Sequence, residues 1–186
     1  TYGGSFIYHA ENKQIYIGYV IGLDYKNPYL SPFDEFQRFK THKNIKKFLE
    51  GGKRVAYGAR ALIEGGFQSL PKMHMPGALL VGCDAGTLNM PKIKGSHTAM
   101  KSGIIAAETI FENIKNNIDL SIYEKKFKNS WVYKELYEAR NVKPSFGWGK
   151  ILGILFTGID QIIFGGKLPF TLKHKHADHE TLKSLN

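Results

Sequence analysis

Hydrophobic and polar positions change rhythm several times along this chain. "QIYIGYVIGL", residues 14–23, concentrates β-branched and aromatic side chains between polar and turn residues and predicts a strand. In "NPYLSPFDEFQRFKTHKNIKKFLEGGKR", Pro-marked turns give way to Phe33, Phe36 and Phe39 at i, i+3 and i+6, a short helix whose aromatic face should enter the core. "VAYGARALIEGGFQSLPKMHMPG" breaks any period with Gly58, Gly65, Gly66, Pro71 and Pro76. Irregular backbone with short pieces of strand is expected there, the kind of backbone that often carries binding residues. "ALLVGC" reads as a short buried strand, and Gly95 to about Asn117 as a helix with Ala99, Ile104, Ala106, Ala107 and Ile110 available for packing. "SIYEKKFKNSWVYKELYEAR" sets Ser121 and Glu124 at capping-box spacing and continues as a second helix with a solvated basic face.

Residues 145–175 differ in character. Between Lys150 and Lys167 they are nearly all apolar or Gly, interrupted by Asp160 and Gln161. The unbroken run from Ile151 to Ile159 is far shorter than the roughly 18–20 residues needed to cross a bilayer. Two readings stay open on pattern alone: buried core, or an apolar surface that dips into one leaflet with lysines at the phosphate level. Trp148 and Phe170 at the ends suit an interfacial belt as well as a core.

At 186 residues and 42% hydrophobic content the chain can bury one substantial core. The net charge of +10, from 26 basic and 16 acidic side chains, favours an anionic partner such as a phosphate-bearing cofactor, a membrane surface, nucleic acid or an acidic protein. The lysines are dispersed rather than interleaved with aromatics in a nucleic-acid-binding motif, so no nucleic acid is expected. Cys83 is the only cysteine, so neither an intrachain disulfide nor a Cys-based zinc or iron–sulfur site can be completed by these residues. His174, His176 and His179 in "HKHADHE" lack a supporting ligand pattern and read as a polar tail, so no metal is assigned. The first residues, "TYGGSFIYHAENKQ", lack the charged and apolar regions of a signal peptide. Its start at Thr1, on a glycine pair among aromatics, reads as a cut through a longer protein.

The chemistry concentrates in "ALLVGCDAGTLNMPKIKGSHTAMKSGIIAAE", residues 78–108. Asp84, expected at a strand's carboxyl end, can accept hydrogen bonds from ligand hydroxyls. Gly86 lets backbone approach a ligand, Pro91 fixes a loop, and Gly95 opens a helix whose free N–H groups and positive dipole end stabilise negative charge. A ribityl hydroxyl on one side and the electron-rich ring of a reduced flavin on the other would use both features. No acid–base catalytic residue is assigned, because holding and tuning a cofactor is the protein's part in such chemistry.

Gly82, Asp84, Ala85, Gly86, Pro91, Gly95, Ala99 and Gly103 resemble the second FAD-binding segment of glutathione-reductase-type flavoproteins, with Cys83 inserted between the usual Gly and Asp. Longer motifs are more specific. "GLDYKNPYLSPFDEFQRFK", "GGKRVAYGARALIEGGFQSLPK", "NMPKIKGSHTAMKSGI" and "NSWVYKELYEARNVKPSFG", in that order, resemble the electron transfer flavoprotein–ubiquinone oxidoreductase family over nearly the whole chain.

That resemblance implies an α+β fold, part of a glutathione-reductase-type FAD domain joined to a quinone-binding domain of sheet and helix. Residues 1–77 would belong to the quinone-binding domain with a return toward the FAD site, 78–120 to the FAD-binding domain, and 121–186 to a helix, a membrane-facing segment and a polar tail. It implies FAD contacts at Asp84, Gly86, Gly95 and Thr98, with Gln68 and Ser69 near the same ring, and ubiquinone approaching the backbone of Gly3 and Gly4. Trp148, Ile151, Leu152, Ile154, Leu155, Phe156 and Phe170 would face lipid. The implied partners are electron transfer flavoprotein, ubiquinone and the surface of a membrane, either the matrix side of the mitochondrial inner membrane or the bacterial cytoplasmic membrane. The family's [4Fe–4S] cysteines and its N-terminal G-x-G-x-x-G have no counterpart here, so the chain resembles the middle of such an enzyme, inactive alone. A geranylgeranyl-reductase-like flavoenzyme shares Asp-Ala-Gly and "AMKSG" but not "LDYKNPYLSPF". A non-catalytic basic membrane-binding module is the alternative from another class.

Overall fold

The computed structural model describes residues 2–184. The chain divides between Ala59 and Arg60, one unit comprising residues 1–59 and 175–186 and the other residues 60–174.

In the first unit, β1 (Gly3–His9) and β2 (Ile15–Ile21) form an antiparallel hairpin, in register from Gly3 opposite Ile21 to His9 opposite Ile15. The pleat sends Gly4, Phe6, Tyr8, Tyr16, Gly18 and Val20 to one face and Ile7, Ile17 and Tyr19 to the other. α1 (Pro32–Thr41) starts where Ser31 accepts a hydrogen bond from the Asp34 amide, with Pro32 at its first position. Phe36 and Phe39 of α1 pack on Tyr19, with ring centroids 6.3 Å and 5.3 Å away. Phe33, expected beside them, is exposed. Each three-residue step falls about 60° short of a full turn, so a face centred between Phe36 and Phe39 leaves Phe33 roughly 90° off it. In α2 (Lys43–Leu49), Phe48 meets His9 edge-on at 5.6 Å. Among the described residues of this unit no apolar side chain is fully buried.

The second unit holds the core: Met73, Ala85, Ile105, Ala106, Tyr123, Phe127, Val132 and Leu136. α3 (Ser96–Asn116) crosses it and buries Thr98, Ser102, Ile105, Ala106 and Thr109, one stripe at helical spacing. Ile104, Ala107 and Ile110, expected to pack, are exposed instead. The buried stripe is carried largely by hydroxyl residues, whose Oγ atoms donate to carbonyls of the same helix: Thr98 to Gly95, Ser102 to Ala99 and Thr109 to Ile105. A count of hydrophobic residues alone therefore picks the wrong face.

β3 (His74–Met75) and β4 (Ala78–Leu79) make a second small antiparallel sheet. Beyond Leu79 the expected strand stops, with Leu80 and Val81 exposed and Gly82–Ala85 forming a tight 3-10 turn. Gly82 takes a left-handed φ of 66° and its N–H is caught by Ser102 Oγ at 2.9 Å, which turns the chain out of the extended path. Where the sequence predicts one helix after Ser121, there are two, α4 (Ile122–Lys128) and α5 (Trp131–Glu138), broken at Asn129–Ser130. The capping box does not form. The Ser121 amide is taken by Asp119 Oδ1 at 2.7 Å, and Glu124 turns to Lys128 and His74. Tyr123, at the centre of the core, donates to the Leu80 carbonyl, and burial pushes its phenol up to about 12. α6 (Val142–Ser145) and α7 (Lys150–Gly158) follow, and α7 runs into a single π turn over Ile159–Ile163. Helices with two small antiparallel sheets make the fold α+β.

Candidate functional site

A turn, a loop and a helix N-terminus build the first candidate site. Gly86 closes the Gly82–Ala85 turn in the left-handed region at φ 75°, donating its N–H to the Cys83 carbonyl at 2.9 Å. A side chain there would cost about 1 kcal/mol or more in backbone strain. Asp84 stands on this turn, largely exposed, its two carboxylate oxygens 3.1 Å and 3.4 Å from Arg60 Nη2. The loop that follows is closed by Asn89 and Lys94, which exchange backbone hydrogen bonds of 2.9 Å and 3.2 Å. Gly95 then opens α3 with no side-chain cap and no acidic residue in the first turn. The amides of the first turn are left without intrahelical partners, at the positive end of a helix of 21 residues. Thr98 is fully buried, with its hydroxyl 2.9 Å from the Gly95 carbonyl. Thr87, beside Gly86, is fully buried and its hydroxyl has no hydrogen-bond partner.

Glu135 of α5 joins this region from the side. Its Oε1 accepts from Asn89 Nδ2 at 2.7 Å and lies 2.9 Å from His97 Nε2, while its Oε2 is 3.4 Å from Lys92 Nζ. Burial pushes the Glu135 carboxyl up, but hydrogen bonds from His97 and Asn89 and the Lys92 charge outweigh it and hold the group below the usual glutamate range. Gln68 donates to the carbonyls of Arg140 and Leu172, both at 2.7 Å, and Ser69 is exposed.

In the first unit, Gly3 and Gly4 open strand β1. A Cβ on Gly3 would lie 2.1 Å from the Val20 carbonyl oxygen, so the close strand approach requires glycine. Gly4 faces open space on the side of the hairpin that carries Phe6, Tyr8 and Tyr16.

The apolar segment forms the second feature of residues 60–174. Ile151, Leu152, Ile154 and Leu155 on α7, and Ile162 and Ile163 on the π turn, are all more than half exposed. Trp148 and Phe156 meet edge-on at 5.1 Å and Phe170 lies 6.3 Å from Phe156, with Trp148 and Phe170 themselves exposed. Lys150 and Lys167 flank the patch and are exposed.

Polar groups hold the patch from behind. Arg140 is buried and donates to the carbonyls of Tyr137, Gly166, Leu168 and Phe170 and to the Thr171 hydroxyl. Asn141 brackets Phe170 and Leu172. Gly166 has a left-handed φ of 72° and passes so close to Glu138 that a Cβ would lie 2.1 Å from its carbonyl oxygen. Asp160 is fully buried, one oxygen accepting from Gln161 Nε2 and the other unpartnered. No helix among the described residues is long and apolar enough to cross a membrane.

Sequence reasoning passes over Glu135, Asn89, His97 and Arg140. Their signal is faint: an acid four residues after Trp131, and a histidine at the second position of α3. Among the described residues no three His, Cys, Asp or Glu side chains converge as a metal site would require.

Comparison with known proteins adds an independent line. The family described as "ETF-QO, ubiquinone-binding" matches residues 1–62. The electron transfer flavoprotein-ubiquinone oxidoreductase of Pseudomonas aeruginosa is 55% identical over 189 residues, 99% of this chain and 34% of the relative. The mitochondrial proteins of that name from Sus scrofa and Oryza sativa are 56% and 51% identical, over 98% and 97% of this chain and 32% and 31% of their own length. The chain therefore spans about a third of the length of the curated relatives it matches. Over that stretch, the chain belongs to the electron transfer flavoprotein–ubiquinone oxidoreductase family.

Proposed function

We propose that this chain forms part of an FAD-dependent oxidoreductase that passes electrons from reduced electron transfer flavoprotein to ubiquinone at a membrane surface. The observation that carries the reading is the match along 98% of the chain at 56% identity, joined to a ubiquinone-binding family match over residues 1–62. The residues fit FAD: an exposed carboxylate, an uncapped first turn of α3 and a buried, unpartnered Thr87 hydroxyl lie in one stretch of sequence. When bound, FAD supplies the redox chemistry.

The chain's own residues bind and orient. Asp84 accepts a ribityl hydroxyl while Arg60 holds its carboxylate in place. Gly86 brings backbone close, and Gly95 with the first turn of α3 offers N–H groups to the electron-rich edge of the ring. Thr98 acts through the Gly95 carbonyl that it hydrogen-bonds, and so shapes that turn. Gln68 ties its segment to the Arg140 and Leu172 carbonyls, and the exposed Ser69 beside it is the second candidate near the ring. Ubiquinone meets the hairpin at Gly4, whose open side leaves room that Gly3 does not. With Cys83 the single cysteine, these residues offer no ligand set for a [4Fe–4S] cluster.

The segment 147–170 rests on one leaflet. Each Ile or Leu fully buried there contributes about 1.5–3 kcal/mol, and each flanking lysine about 1 kcal/mol on an anionic surface. Apolar contact therefore dominates. The protein is accordingly monotopic, on the matrix side of a mitochondrial inner membrane or on a bacterial cytoplasmic membrane. The functional division is residues 1–77 for quinone, 78–120 for FAD, and 121–186 for docking.

The test is electron transfer by the full-length protein from reduced electron transfer flavoprotein to ubiquinone in liposomes. Quinone-dependent reoxidation of the donor, with FAD bound to the purified protein, is expected. A protein that carries no flavin and leaves the donor reduced would overturn the reading.

A further inference from the structure

We infer that Glu135 is a positioning residue for the flavin-facing turn, fixing both the loop of residues 89–94 and the first turn of α3. The inference rests on the reading that the N-terminus of α3 faces FAD.

Three side chains from that loop and turn converge on one carboxylate. Asn89 and His97 share Oε1, at 2.7 Å and 2.9 Å, and Lys92 reaches Oε2 at 3.4 Å. Asn89 is almost fully buried and closes the loop in three ways: its N–H donates to the Lys94 carbonyl, its carbonyl accepts from the Lys94 N–H, and its Oδ1 accepts from the Lys92 N–H at 3.3 Å. Its remaining donor goes to Glu135. The His97 ring is gripped from a second side, stacked on Trp131 at 5.7 Å with the planes 9° apart. Trp131 and Glu135 are one helical turn apart on α5, so a single helix face holds the second residue of α3 by stacking and by charge.

The charge matters beyond the grip. The first turn of α3 has no acidic residue and no side-chain cap of its own. Glu135 is the carboxylate that reaches it, through His97, and it is four-fifths buried and ionised at neutral pH. A fixed negative charge beside a positive helix end lowers the field that this end offers to an electron-rich ring. Position and field can be separated by two variants. In Glu135→Gln an amide oxygen still accepts from Asn89 and His97, but the charge is gone. In Glu135→Ala both are gone.

The experiment uses the full-length protein and two readouts. Amide hydrogen exchange over residues 89–99, in protein stripped of flavin, is expected to speed up about tenfold in Glu135→Ala and to stay near wild type in Glu135→Gln. In the flavin-loaded protein, Glu135→Gln is expected to retain FAD with the flavin potential shifted to more positive values, since removing a negative charge favours the reduced ring. Glu135→Ala is expected to retain FAD about tenfold more weakly. Unchanged exchange in Glu135→Ala overturns the positioning role outright. Faster exchange with wild-type potential and FAD retention in both variants overturns the placement of α3 at the flavin, and with it the functional half of the inference. A loss of melting temperature alone, with neither readout moved, reduces Glu135 to a stability residue and also overturns it.

Discussion

Residues 82–98 and residues 147–170 lie in the same unit and are built differently. In the first, Gly82, Ala85, Gly86, Thr87, Leu88, Asn89 and Thr98 are buried, and hydroxyls, amides and one carboxylate fix the backbone atom by atom. In the second, Asp160 is buried, the buried Arg140 and Asn141 from outside the segment bond to its carbonyls, and Ile151, Leu155, Ile162 and Ile163 are exposed. A site that must hold one ligand in one orientation needs directional bonds, and burial makes them count. A surface that meets fluid acyl chains needs only area, because the hydrophobic effect is non-directional. Both regions bury polar groups, and the difference lies outside, where only the second turns a run of aliphatic side chains outward, as the lipid role proposed for it requires.

The largest expected effect strikes the second region alone. Replacing Ile151, Ile154 and Leu155 together with Ser removes about 4 kcal/mol or more of apolar burial at the leaflet. Liposome flotation should show the full-length variant released at moderate salt, with slower reduction of long-chain quinone and normal reduction of water-soluble acceptors. Loss of FAD in that variant would break the separation.

Next in size, Asp84→Ala should weaken FAD retention by roughly ten- to a hundredfold, about 1.5–3 kcal/mol for a charged acceptor removed from a ligand hydroxyl. Liposome binding should not change. Equilibrium dialysis and flotation on the same preparation check both halves.

Much of this was legible in the sequence, for identifiable reasons. The helix beginning at Gly95 and the strand at residues 15–21 follow from a glycine before a helix-forming stretch and from a run of β-branched and aromatic residues, which are local signals. The irregular backbone around Gly58 to Gly66 follows from glycine and proline. Three features escape because they depend on partners distant in sequence. The strand after Leu79 ends because Ser102 captures Gly82, twenty residues on. The buried face of α3 is polar because its hydroxyls bond back to its own carbonyls, so hydropathy points elsewhere. The role of Glu135 requires Asn89 and His97 to fold onto α5, and no spacing rule links those positions. At the candidate site, Gly86 and Gly95 sit on the turn and helix start that their residue type calls for, whereas Asp84, expected at the end of a strand, stands on the Gly82–Ala85 turn beyond it, and Gln68 is engaged by backbone carbonyls.

A smaller effect is expected from acid. Glu135 is held below the usual glutamate range, so its contribution to stability is fully present above the unfolded value of about 4.3 and is lost as pH falls through the folded value. Glu124, lowered first by its hydrogen bond to Lys128, adds in the same direction. The melting-temperature difference between wild type and Glu135→Gln should therefore shrink below about pH 4. A difference that grows on acidification would contradict the ionised hub.

The most direct measurement is hydrogen exchange followed segment by segment in the full-length protein, with FAD bound or stripped and with liposomes present or absent. Removing FAD should deprotect residues 82–98 and leave 150–164 unchanged. Adding liposomes should protect 150–164 and leave 82–98 unchanged. If both treatments move both segments together, or if liposomes leave 150–164 unprotected, the assignment of one region to cofactor and the other to lipid is wrong.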